Sequence, residues 1–419
     1  MTAIMTGLFA VMLTLSVPVG YALIIAAGAA ILIDGGTPTV VAVVKLFQPT
    51  QSFPLLAIPF FILSGSLMMT GTLGQKLIQF AANLVGRFHG GLGQVTVVGS
   101  TIFGGVSGSA VAEASALGTM LIPWQKREGY PAGFAAAVTA SSSTIAGLIP
   151  PSIPLILFST VSNASIASLF SAAILPGLLL AFGMMMVCYL SGRIRNFPRL
   201  SDTGGLKRLG STIVSAAPAL AMPFIIIVLL RAGIATPTEV SVIAVAYALI
   251  VSVLIYRDLT VKRLQEALVG TVITTGVVML VITASSLVGH VLISERVPTY
   301  VAQWAQETLG NKYMIILMMN IIMLVVGMFL DLPAAILLLG PTFVAIAQAI
   351  GLDLVQLGVM ICINLSIGLF TPPIGTTLFI GAVIAKVPIG AVVRELWPFY
   401  MVAITVLALI SYVPFLTFY

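Results

Sequence analysis

The chain has 419 residues, 59% of them hydrophobic and 7% charged, with a mean hydropathy of +1.18 and a formal charge of +6. Soluble domains run about 45–50% apolar and about 25% charged, and so few charges cannot cover a globular exterior of this size. A cytosolic enzyme and a secreted domain are excluded; the composition is that of an integral membrane protein.

Alternating strand patterns and aromatic girdles are absent, so an all-α polytopic protein is predicted rather than a β-barrel. Met1 to Ala30 is apolar without a basic start and reads as mature membrane structure, with residues 1–16 either a short extra span or part of a bent first one. At about 20 apolar residues per span, full crossings fit 17–34, 54–70, 131–164, 167–191, 212–231, 236–256, 268–292, 355–385 and 396–417. Charged loops punctuate them: Lys76, Arg87 and His89; Lys126, Arg127 and Glu128; Arg193 to Arg208; Arg257 to Arg263; Lys386 and Arg394. The positive-inside rule makes these loops cytoplasmic and the C-terminus periplasmic, so the charge reports orientation in a lipid bilayer and not nucleic-acid binding. Trp304 marks an outer-surface amphipathic helix over 298–311. No phosphate-binding G-x-x-x-x-G-K-[ST] loop is present. Cys188 and Cys362 lie in apolar runs as small packing residues.

The segments 91–124 and 313–349 are too long for one crossing, and the flanking charges require the first to return to the side it left. Each is predicted to be a re-entrant hairpin, with tips on Gly104–Ser109 and Gly327–Pro333. Pro150-Pro151 recurs 222 residues later as Pro372-Pro373, and the pairs Ser109/Asp331 and Ser64/Ser286 keep that offset. Equivalent loops differ in charge, so the copies are inverted. The organisation expected is a first repeat over 1–192 (hairpin 91–124, broken helix 131–164), a cytoplasmic linker over 193–211, and a second repeat over 212–419 (hairpin 313–349, broken helix 355–385).

A double proline in mid-span, after Gly147 in one copy and Gly368 in the other, breaks a helix and bares carbonyls that cannot meet water in lipid. A bound cation is a natural partner, and half-helix N-termini favour an anion. Two Na⁺ sites are therefore expected, with ligands among Gly105, Ser107, Gly147, Pro150 and Pro151 in the first copy and Gly327, Asp331, Gly368, Thr371 and Pro372 in the second. No thiolate or imidazole is at hand, which points to a hard ion. Substrate contacts are assigned to Ser107, Ser109, Glu113, Ser152, Asp331 and Thr376. Asp331 is an acid in an apolar span with no base nearby in sequence, which marks it as functional. Glu239, in Thr236-Pro237-Thr238-Glu239, fits a capping box instead. His290, near a span end, reads as a buried, hydrogen-bonded structural residue.

Ser107-Gly108-Ser109-Ala110-Val111-Ala112, Ile149-Pro150-Pro151-Ser152, Ala235-Thr236-Pro237-Thr238-Glu239, Asp331 and Thr371-Pro372-Pro373 together resemble the large membrane subunit of the tripartite ATP-independent periplasmic (TRAP) transporters, within the ion-transporter superfamily. The resemblance covers essentially the whole chain. It implies an elevator fold of scaffold and transport domains in the bacterial inner membrane. It also implies Na⁺-coupled uptake of a small organic acid, a separate four-helix small membrane subunit, and a periplasmic substrate-binding protein. No enzymatic activity is expected. The alternatives are a stand-alone Na⁺/carboxylate symporter and, more remotely, an intramembrane serine protease built on Gly105-Val106-Ser107-Gly108 with His290 as base.

Overall fold

A computed structural model describes residues 1–417 except 16, 36–37, 70–71 and 201–204, and every regular element among them is helical. α1 (Thr2–Thr14) and α2 (Val19–Asp34) are separate helices. At 13 residues α1 rises about 20 Å, short of the ~30 Å hydrocarbon layer; residue 16 lies outside the described residues. α3 (Thr39–Phe47) was not anticipated. Thr39–Gln51 bends by 56° into Phe53–Met69, which contains α4 (Ala57–Met69), so the crossing expected at 54–70 is one limb of a bent pair. Its last residue, 70, lies outside the described set. α5 (Thr72–Val85) replaces the loop expected around Lys76. Leu73, Leu77, Ile78, Ala81, Ala82 and Val85 recur at helical spacing and bury one amphipathic face.

α6 (Gly91–Ser107) and α7 (Ala110–Arg127) form the first helix–turn–helix pair. The turn is only Gly108–Ser109, so Gly104, Gly105 and Ser107 belong to the last turns of α6 and not to an open tip. α8 (Ala132–Ser142) tightens into a 3₁₀ turn over Ser143–Gly147 before α9 (Ile153–Ser162) resumes beyond the first proline pair. α10 (Ile166–Ile194), α11 (Gly205–Arg231), α12 (Pro237–Ile250) with a π turn over Val251–Ile255, and α13 (Val261–Ser294) follow. α11 begins inside the stretch expected to be linker, whose residues 201–204 lie outside the described set. α12 opens with the capping box: Thr236 N–H donates to Glu239 Oε2 at 2.7 Å, and Glu239 N–H to Thr236 Oγ1 at 3.4 Å. α14 (Val297–Leu309) buries Pro298, Ala302 and Ala305 and exposes Tyr300 and Trp304, the amphipathic helix anticipated there.

α15 (Lys312–Gly327) and α16 (Leu332–Ala349) form the second pair, α17 (Leu354–Gly368) and α18 (Thr376–Ala385) flank the second break, and α19 (Ile389–Tyr412) ends the helical chain. Among the described residues six helices are long and apolar enough to cross a membrane: α10, the part of α11 from Thr212, α12 with its π turn, α13, α16 and α19. α16 was anticipated only as a hairpin arm. The expected crossings 131–164 and 355–385 each consist of two shorter helices.

α17 is buried on every side from Val355 to Gly368, as is α8 from Phe134 to Ser142. A helix apolar all round must be enclosed by others. Polar cross-ties hold that centre: Asn364 Nδ2 donates to Asn320 Oδ1 at 2.8 Å, Asn320 Nδ2 to Ser411 Oγ at 3.0 Å, and Gln356 Nε2 to the Ile410 carbonyl at 2.9 Å. They join α15, α17 and α19 where apolar packing alone permits sliding. The second broken segment is thereby fixed in the core.

Candidate functional site

The two proline pairs interrupt their helices, and both Pro–Pro peptide bonds are cis. At the first break Ser152 spans the gap: its Oγ donates to the Gly147 carbonyl at 2.6 Å and accepts from Leu155 N–H at 3.3 Å as the cap of α9. At the second, Thr371 Oγ1 donates to the Ile367 carbonyl at 2.6 Å, Thr377 Oγ1 to the Leu369 carbonyl at 2.9 Å, and Tyr400 Oη to the Phe370 carbonyl at 2.7 Å. Many of the freed carbonyls thus already accept a hydrogen bond. The expectation of bare main-chain oxygens is corrected on this point, because Ser152 and Thr377 just beyond the breaks, Thr371 just before the second and Tyr400 on α19 cover them. A carbonyl has two lone pairs, so the Gly147 and Phe370 oxygens, with one hydroxyl donor each, can still ligate an ion, whereas the Leu369 oxygen already accepts from the Thr377 hydroxyl and the Thr377 and Leu378 N–H groups.

Gly108 is where the first turn meets the first break. Its φ of +61° lies in the left-handed region, and a Cβ there would strike the Pro151 carbonyl oxygen. Only glycine meets both demands. Ser109 then caps α7 by accepting from Ala112 N–H at 3.4 Å. In the second pair Asp331 holds the equivalent N-cap position of α16, but its side chain does not cap that helix.

These elements enclose a cavity of about 380 Å³. Its walls are Gly108–Ala112 from the first turn, Asp331–Pro333 from the second, Gly147 and Leu369 from the two breaks, the start of α9, and Ile273, Thr274, Val277 and Val278 of α13. Four wall pairs are 222 residues apart: 109/331, 110/332, 111/333 and 147/369. Three helices, α7, α9 and α16, begin at this wall. Each N-terminus carries about half a positive charge together with unpaired N–H donors, opposed by the single carboxylate of Asp331. The volume falls within the ~300–1,000 Å³ of small-molecule sites.

A separate hole of about 20 Å³ lies behind the second turn, lined by Gly327–Asp331, Leu369, Ile374, Gly375 and Thr376. It has room for one water-sized occupant. The Thr376 Oγ1 is buried without a hydrogen-bond partner. Asp331 lines both this hole and the large cavity.

The other predicted residues fall elsewhere. Glu113 is fully buried on α7 beside Ser100, with both carboxyl oxygens unpartnered, and is not on the cavity wall. Ser152 is wholly buried and occupied by the break; Ser107 is buried too, its Oγ accepting from Ser109 N–H at 3.5 Å. Neither lines the cavity, and the substrate roles expected for these three are not met by the geometry. Gly105 lacks a side chain for packing: a Cβ would come within 2.7 Å of Pro223 Cγ on α11. Gly327 and Gly368 lie backbone against backbone where α15 crosses α17. Of the expected ion ligands, Gly147 and Asp331 reach the large cavity and Gly327 and Asp331 the small hole. Pro150, Pro151, Thr371 and Pro372 form the breaks themselves. Ser107 lines neither cavity and His290 lines a different one, so the serine–histidine pair of a protease is not assembled.

Ser366 was missed. Its Oγ is buried without a partner and sits beside Gly147, bringing the second copy's helix to the first copy's break. Its place five residues before Thr371-Pro372-Pro373 was the available signal. The α13 wall carried none, because its valines and isoleucines read as ordinary span.

An all-helical polytopic membrane protein with two interrupted helices meeting at a largely apolar cavity that holds one carboxylate has the build of a permease. Residues 6–416 match the family described as "Tripartite ATP-independent periplasmic transporter, DctM component", and the chain belongs to that family. It is 52% identical over 419 residues, the full length of both chains, to the "Uncharacterized protein y4mL" of Sinorhizobium fredii. It is 34% identical to the "C4-dicarboxylate TRAP transporter large permease protein DctM" of Pseudomonas aeruginosa, covering 88% of this chain and 87% of that one. With the "Sialic acid TRAP transporter large permease protein SiaM" of Vibrio cholerae it shares 35% identity, covering 95% and 93%.

Proposed function

We propose that the chain is the Na⁺-coupled large permease for a small organic acid, working in the bacterial inner membrane with a separate small membrane subunit and a periplasmic substrate-binding protein. One observation carries the reading: three helix N-termini converge on a cavity whose only carboxylate among the described residues, Asp331, also lines an ion-sized hole. Relatives named for C4-dicarboxylate and sialic acid transport support an acidic cargo. The N–H donors of α7, α9 and α16 and the Ser109 hydroxyl would hold the carboxylate. Asp331, the Thr376 hydroxyl and carbonyls of the second break would hold one Na⁺; Ser366 and carbonyls near Gly147 would serve a second.

Asp331 supplies the coupling. Unneutralised, it repels an anion in the shared cavity; with a cation in the hole behind it, that repulsion is cancelled. A differential of this kind amounts to about 1–3 kcal/mol, or 5–150-fold in affinity. Two Na⁺ crossing about 100 mV supply ~4.6 kcal/mol, and a tenfold gradient adds about 1.4 kcal/mol per ion. After about 2.3 kcal/mol for moving a monoanion inward, roughly 5 kcal/mol remains, enough for accumulation of several thousandfold without ATP.

The wall pairs at a constant offset of 222 support two inverted repeats over 1–192 and 212–419, with basic loops and the linker 193–211 cytoplasmic and the C-terminus periplasmic. In this scheme the hairpins and broken helices form a transport domain moving against a scaffold containing α13. The test is uptake into proteoliposomes of the complete complex. Asp331→Asn should abolish the dependence of uptake on Na⁺ while the complex still assembles; wild-type Na⁺ dependence in that variant refutes the coupling role. Uptake that needs no soluble partner would instead assign a stand-alone symporter.

A further inference from the structure

A second cavity, of about 420 Å³, lies further along α13. Residues 273–278 of α13 wall the cavity at the two turns; Ile282, Ser285, Ser286, Gly289, His290 and Ile293 continue the same stripe at three- and four-residue spacing and wall this one. The remaining wall comes from the end of α3 and the chain that follows it to Leu55, the end of α9 and the middle of α16. The permease reading gives this space no role.

Its chemistry is one-sided. Lys45 lines it, with Nζ donating at 3.0 Å to the neutral amide oxygen of Gln48, and no acid is on the wall among the described residues. Ser286 Oγ donates to the Lys45 carbonyl at 2.9 Å, fixing α3 to α13 at the rim. Ser285 is 3% exposed and its Oγ has no partner. His290 Nε2 is likewise buried without a partner. Burying such groups unpaired is costly unless something completes them. Gly289 leaves the floor open, since a Cβ there meets nothing within 4 Å. The side chains of Lys45, Ser285, His290 and Thr160 therefore line one space whose wall, among the described residues, carries no negative charge.

We propose that this cavity is a second binding site, for a small carboxylate anion, held by Lys45, Ser285 and His290. A carboxylate offers about four acceptor positions to those donors and supplies the missing charge. The site goes beyond the permease reading, because its donors are present whichever way transport is driven.

The chain has two histidines, His89 and His290, and this permits a test independent of uptake. With His89→Asn and isotopically labelled histidine rings, the full-length protein in nanodiscs gives one imidazole signal, from His290. Titration with succinate should move it saturably. Lys45→Gln should weaken that binding at least roughly tenfold. Gly289→Leu, which fills the floor, should abolish the shift while leaving the melting midpoint in place. A signal that does not move with millimolar succinate overturns the proposal, as does a shift unchanged in both variants. Native mass spectrometry supplies the remaining arm: a phospholipid retained through Lys45 and not displaced by succinate would assign the cavity to a lipid headgroup and overturn it as well.

Discussion

Gly108→Ala, compared with Gly351→Ala, isolates the docking of the first turn on the first break. Both glycines hold a left-handed backbone, at φ +61° and +63°. An L-residue there costs about 1–2 kcal/mol. A Cβ at Gly351 meets nothing within 4 Å, whereas one at Gly108 runs into the Pro151 carbonyl oxygen. Forcing the two backbones apart adds about 1–3 kcal/mol, the range for overpacking a close contact. Gly351→Ala should therefore lower thermal stability in detergent by the conformational cost alone and leave uptake intact. Gly108→Ala should lose more stability by that further ~1–3 kcal/mol. Because the displaced segment carries Ser109 and the start of α7, it should also reduce uptake by about tenfold or more, the equivalent of ~1.4 kcal/mol. Equal melting shifts for the two variants, with normal uptake by Gly108→Ala, would refute the close docking of turn on break.

Thr376→Val removes an unpartnered buried hydroxyl with little change in shape. If the small hole holds a cation, apparent Na⁺ affinity should fall roughly tenfold while melting in Na⁺-free buffer is unchanged or raised by about 1 kcal/mol; unaltered Na⁺ affinity removes Thr376 from the site. Glu113→Leu replaces a buried, unpartnered carboxyl by an apolar side chain of similar size. The melting midpoint should rise, by an amount corresponding to about 1–3 kcal/mol, and uptake should persist. Loss of uptake in a well-folded Glu113→Leu protein would return that residue to the transport chemistry.

Some features were legible because they rest on local chemistry. The Pro150-Pro151 and Pro372-Pro373 breaks follow from missing donors and steric clash, the Thr236–Glu239 capping box from one turn of spacing, and the exposed face of α14 from where Trp304 falls. α5 was misread because its few charges looked like a loop until the apolar face was matched to a partner. α3 was missed because nine residues carry too little signal alone. Glu113 illustrates a different failure. An acid four residues into a helix after a turn reads as a ligand, yet its direction depends on how α7 is rotated against α6 and α8.

By itself, the amino-acid sequence determined that the chain is a helical membrane protein, that two of its helices break at proline pairs 222 residues apart, and that Asp331 is an acid without a local counter-charge. Those conclusions need only composition, backbone sterics and the cost of polar groups in lipid, all of which act over a few residues. Only the tertiary structure decided which groups share a space: that Ser109 and Asp331 face one cavity while Glu113 and Ser152 do not, that Asp331 also borders the hole containing Thr376, and that Lys45, Ser285 and His290 surround another. The physical reason is that a membrane helix has much the same apolar composition on faces that meet protein and faces that meet lipid. The direction of each side chain is therefore set by close backbone contacts between distant segments, such as Gly108 on Pro151 and Gly327 on Gly368.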